Sequence, residues 1–88
     1  MASYKHASKE AQKIILSFFK QRMKEKGITQ NELSKTLEVS VTTLIRYFKM
    51  ETPMPLDVYL QICGALELRP YLIPTELDNQ DMHRISFN

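Results

Sequence analysis

The sequence predicts an all-α domain of four helices with a short β extension at the C-terminus, with a fifth helix as the alternative ending. Three observations carry that prediction. Apolar residues between Ala11 and Met23 recur at three- and four-residue spacing, the mark of one helix face. Two cap-forming residues, Thr29 and Ser40, each open an apolar-periodic run, and only eleven positions separate them. A further apolar segment, Leu56 to Leu66, follows Pro53 and Pro55.

The chain has 88 residues, 43% of them hydrophobic and 25% charged, which reads as one small domain over 1–88. A domain of this size is marginally stable alone and often gains stability by pairing. Cys63 is the only cysteine, so no internal disulfide is available, which suits a reducing, cytoplasmic setting or simply a small buried side chain. No run of about 18 apolar residues occurs, so no membrane span is expected. The N-terminal MASYKHASKEAQK has lysines without an apolar stretch behind them and reads as mature protein rather than a leader. The net charge of +2 is unevenly spread. Residues 1–26 hold seven Lys/Arg against two Glu, and residues 51–88 hold two Arg against six Asp/Glu. A basic front and an acidic tail suit a polyanion approached from one side, or a set of solvated helix faces.

The first helix is expected from about Ser8 to Lys26, with Ala11, Ile14, Ile15, Phe18, Phe19 and Met23 as its apolar stripe and Gly27 as its stop. The second begins after Thr29. Thr29-Gln30-Asn31-Glu32 is a capping box, in which the threonine accepts from the Glu32 N–H and the glutamate reaches back. Ile28 and Leu33 form a hydrophobic staple across that start. The third helix repeats the device, with Ser40 as cap and Val39 and Leu44 as staple. Only Glu38-Val39-Ser40 remains as the turn, and Ser34 is small enough for two helices to cross closely. This is the layout of a helix-turn-helix, here over 29–49.

On a helical wheel with Leu44 at zero, Phe48 falls near 40° and Tyr47 near 300°. Thr42, Arg46 and Lys49 fall between about 140° and about 200°, on the opposite face. The third helix therefore buries Leu44 and Phe48 and presents Thr42, Arg46 and Lys49. The fourth helix, Leu56 to Leu66, carries Asp57 in its first turn, where the helix dipole favours an acid. Gly64 weakens it by about 1 kcal/mol relative to alanine. The tail, 68–88, contains LRPYLIP, whose two prolines disfavour a regular helix. Leu72-Ile73 and Ile85-Ser86-Phe87 are expected as short strands, paired as a hairpin or between subunits, with a short fifth helix after Leu68 as the alternative.

Gly27-Ile28-Thr29-Gln30, Leu33-Ser34, Leu37, Val39-Ser40, Thr43-Leu44 and Arg46, taken in register, resemble the phage-repressor and Cro-type helix-turn-helix, the XRE family. Pro55-Leu56, Tyr59-Leu60, Ile62-Cys63 and Ala65-Leu66 look like the fourth helix of the same family, so the likeness covers about Ile15 to Leu68. Four positions depart from the pattern. The family's turn glycine is Glu38, its small helix-two alanine is Ser34, and the glutamate and glycine that close its third helix are Phe48 and Met50. A non-glycine residue forced to positive φ at Glu38 is disfavoured by roughly 1–2 kcal/mol.

The resemblance implies a lambda-repressor-like DNA-binding domain and a transcriptional regulator of the repressor kind. Its third helix, 41–49, would enter the major groove of double-stranded DNA by its N-terminal end, with the second helix across the backbone. The family's backbone contact maps to Gln30. Its base-reading positions map to Ser40, Val41 and Thr42, and one turn later to Arg46. Lys49 is expected on a phosphate. Ser40 has capping as its first task, and Val41 has only a methyl contact to offer. Arg46 is the strongest donor, suited to guanine or phosphate, unless Glu32 or Glu51 holds it.

A reading helix with one arginine and two hydroxyls binds weakly alone, so a homodimer on an inverted repeat is expected, its half-sites near 34 Å apart. The fourth helix or the tail is the expected dimer surface. The tail is also similar to that of small XRE antitoxins, which implies a toxin-like protein partner as the alternative role, with DNA binding secondary. With no residues to spare for an effector domain, regulation is expected through abundance, a partner or operator competition. No catalytic residue, metal site or cofactor is expected. His6 and His83 are isolated, and Cys63 has no histidine near it in sequence and falls where the family keeps a small core alanine.

Overall fold

A computed structural model describes residues 3–77 and shows four α-helices: α1 Tyr4–Lys26, α2 Gln30–Leu37, α3 Val41–Phe48 and α4 Leu56–Ala65. No strand occurs among the described residues. Each of the first three helices begins where a hydroxyl can accept from an orphan amide. Ser3 accepts from the His6 N–H at 3.1 Å, Thr29 from Glu32 at 3.1 Å and Ser40 from Thr43 at 3.0 Å. Helix α1 starts about a turn earlier than the expected Ser8, because Ser3 caps it. The box at Thr29 is complete, since Glu32 Oε1 accepts from both the Thr29 N–H and its hydroxyl at 3.0 Å.

All four helices end in the same way. The residue after the cap turns left-handed, and two amides fold back on the last turn in a Schellman motif. Gly27 does this for α1, with its N–H donating to Lys24 O and that of Ile28 to Met23 O. Glu38, Met50 and Glu67 do it for α2, α3 and α4, at φ 58, 62 and 56. Both family glycine positions thus keep a left-handed backbone without the glycine. Ile28, Val39 and Leu68, each following its left-handed residue, pack on the core. They anchor three of these exits by hydrophobic contact.

The core brings Leu16, Phe19 and Met23 of α1 against Leu33 and Leu37, Leu44 and Phe48, and Val58, Ile62, Cys63 and Leu66. Helix α2 packs on both α3 and α4. Ser34 is buried as expected for a crossing residue, and its hydroxyl donates to Asn31 O at 2.7 Å. Arg22 Nε donates to Leu66 O at 2.9 Å, tying α1 to the end of α4, and Lys26 pairs with Glu67 beside it. The Phe19 and Tyr59 rings meet with centroids 5.7 Å apart.

Two sequence expectations need correction. The stripe of α1 contains Leu16, which is buried, and excludes Ile14 and Phe18, which are 54% and 60% exposed. Relative to Phe19 the last two lie about 140° and about 100° away, outside the arc of the buried residues Ala11, Leu16, Phe19 and Met23. The strand at Leu72-Ile73 is not formed: 68–74 has no regular structure, and a single 3-10 turn, Thr75–Leu77, follows instead of a fifth α-helix. A strand needs a paired edge, and the α-helices leave none, while Pro70 and Pro74 have no N–H to give to one. Ile85-Ser86-Phe87 lies outside the described residues.

Candidate nucleic-acid interface

Helix α3 is held by its ends and by two buried side chains. Leu44 is fully buried and Phe48 nearly so, which fixes the rotation of the helix about its axis. Thr42, Arg46 and Lys49 are then exposed on the far side, as the wheel predicts. Val41 is half-buried at the N-terminal edge. Ser40 sits at the mouth of the helix with its hydroxyl engaged twice: it accepts from the Thr43 N–H and donates to Thr43 Oγ1 at 2.8 Å. Capping occupies this side chain, and one lone pair remains for an incoming donor. Gln30 is the first residue of α2 and is half-buried beside the helix start.

Arg46 is free of the two acids that might have held it. Among the described residues its side chain makes no ion pair, and Glu32 is committed to Thr29. The Thr29 backbone N–H and hydroxyl hold the Glu32 carboxyl below its ordinary range. Glu51 uses its backbone N–H to close α3 on Arg46 O, leaving the guanidinium untouched.

Two side chains belong to this surface that sequence reasoning missed. Ile45 is half-buried and projects between Val41 and Lys49, so an apolar row of Val41 and Ile45 lies beside the polar row of Thr42 and Arg46. The four-residue spacing of 41, 45 and 49 carried that signal. Lys20 of α1 shares a shallow cleft with Lys13 and Lys49. Lys13 is paired with Glu10 at 3.0 Å, which leaves Lys20 and Lys49 as the free cations of the cleft among the described residues. Nothing in the sequence tells which lysine of α1 comes to the side of α3, because that depends on how the two helices cross.

Cys63 is buried against Tyr59, and burial pushes both the thiol and the phenol up, so the thiolate nucleophile is scarce near neutral pH. Among the described residues no three His, Cys, Asp or Glu side chains are grouped to hold a metal. No described helix is long and apolar enough to cross a membrane.

Two short capped helices with a three-residue turn, the second showing a polar outer face, define a helix-turn-helix DNA-binding domain. The sequence model of the family described as Helix-turn-helix matches residues 19–73, more than half of the chain. The chain belongs to that family, the XRE-type DNA-binding regulators, a family that is typically non-enzymatic. The same kind of comparison with curated proteins and with solved structures gives no match.

Proposed function

We propose that the protein is a transcriptional repressor that binds an inverted repeat in double-stranded DNA as a homodimer. The observation that carries this reading is the outward face of α3, with Arg46 unpaired among the described residues between Thr42 and Lys49. Arg46 is assigned to a guanine edge, Thr42 to a neighbouring base, and Val41 and Ile45 to thymine methyl groups. Gln30, Lys49 and Lys20 are assigned to phosphates, with Ser40 holding the start of the helix. One strong donor per reading helix gives weak discrimination, so two copies are needed for a specific site. Exposed apolar side chains on α4 and the tail, Leu60, Tyr71, Leu72 and Ile73, supply the surface for pairing. Selection of binding sites from random duplexes tests the reading: it predicts recovery of a two-fold symmetric motif, and recovery of no motif from folded protein overturns it.

A second reading is favoured by one observation. Leu72 is 98% exposed, and a side chain of that kind is also what a protein partner would cover. In that reading the protein is an antitoxin-type module, and DNA binding regulates its own synthesis. Co-purification of a neighbouring gene product in fixed ratio, lost on Leu72→Glu, supports it; a homogeneous dimer without a second chain argues against it.

A further inference from the structure

We propose that a groove between the N-terminal half of α1 and the segment joining α3 to α4 binds a small anionic amphiphile, a carboxylate carried on an apolar body. The groove encloses about 800 Å3, within the range of small-molecule sites. Its floor is apolar and continuous with the core, through Leu16, Phe19 and Tyr59. Its rim carries Lys5, His6 and Lys9, and no Asp or Glu is among the residues that line it.

Among the described residues the acid nearest this rim is Glu10, which feels His6 and Lys9 less than it feels Lys13, its ion-pair partner. Lys5 and His6 stand in the first turn of α1, where the helix dipole is already positive and where no acid is present. Neither Lys5 nor Lys9 forms an ion pair among the described residues, and the nearby Glu10 carboxylate is taken by Lys13. A cationic rim over an apolar floor matches a ligand whose charge stays at the mouth while its body displaces water below. Tyr47 and Met50 line the same groove, and they form the last turn and exit of α3. An occupant therefore touches the helix that carries Arg46.

Calorimetric titration of the full chain with decanoate tests the site, with decyltrimethylammonium as the probe of equal tail and opposite charge. The expected result is saturable single-site binding of decanoate, with the cationic probe weaker by roughly tenfold or more. Reversing both charges with Lys5→Glu and Lys9→Glu should weaken decanoate by roughly tenfold and remove the preference between head groups. Both lysines are exposed, so the core is untouched. The neutral pair Lys5→Gln and Lys9→Gln should shift affinity in the same direction by less. Equal affinity for the two probes, no saturation by about 1 mM decanoate, or unchanged affinity in both double variants would overturn the proposal. So would light scattering in which charge reversal splits a dimer, since the groove would then belong to a second copy of the chain.

Discussion

Glu38 sits at φ 58 with an exposed side chain, in the turn where the resemblance calls for glycine. The left-handed backbone is disfavoured there, and the Schellman bonds and the packing of Val39 hold it in place. Glu38→Gly should therefore stabilise the protein by about 1 kcal/mol in urea unfolding, since relief of strain exceeds the added freedom of the unfolded chain. The same change at Met50 should not help, because Met50 packs on the core and that contact would be lost. Arg46 is the other residue on which much depends. Arg46→Ala should weaken binding to a selected site by about 1–3 kcal/mol and flatten preference at one base pair per half-site. Lys49→Ala and Lys20→Ala should weaken all sequences alike and lower the salt slope by about one each. Site preference that survives Arg46→Ala unchanged would show that the base-reading role lies elsewhere.

At the scale of the helix, one capping box and two ion pairs tie stability to pH. The carboxyls of Glu32, Glu10 and Glu67 are all held below their ordinary 4.5, by Thr29, Lys13 and Lys26 respectively. A group depressed in the folded state adds stability that is complete above its unfolded value and disappears as pH falls through its folded value. The melting temperature should thus be nearly flat from about pH 7 to about pH 5 and should drop below pH 4.5, less steeply in Glu32→Gln. A decline that begins near neutrality would contradict this assignment. The α2 and α3 starts were legible in sequence because their signals are local: a hydroxyl, a glutamate three residues on and a flanking staple fix them without reference to the rest of the fold. The α1 stripe was legible only in part. Ile14, Ile15, Leu16, Phe18 and Phe19 wrap more than half of the helix, and which arc turns inward is decided by α2 and α4. The left-handed exit at Glu67 gave no sign, since that residue type does not favour the conformation, and the exit at Met50 was marked only by the family glycine that the methionine replaces.

At the scale of the molecule, one long and three short helices among the described residues give one core, in which Cys63 is 3% exposed. Alkylation of Cys63 by iodoacetamide should be slow in the native protein and become fast only with unfolding, as burial and the raised thiol both require. The polar row of Thr42, Arg46 and Lys49 on α3 was readable from the wheel alone, whereas Ile45 beside it was missed. The cleft that brings Lys20 to Lys49 and the groove beside α1 were not readable, because both arise from helices far apart in sequence. The central claim is that the outward face of α3 reads sequence, with Arg46 as its strongest donor. Its most direct test is a gel-shift comparison of wild type and Arg46→Ala on a duplex recovered by site selection and on a scrambled duplex of equal length. The account predicts that wild type prefers the selected duplex and that Arg46→Ala, still folded, loses most of that preference while keeping salt-sensitive binding to both. Equal wild-type binding to both duplexes, or full preference in Arg46→Ala, would contradict it.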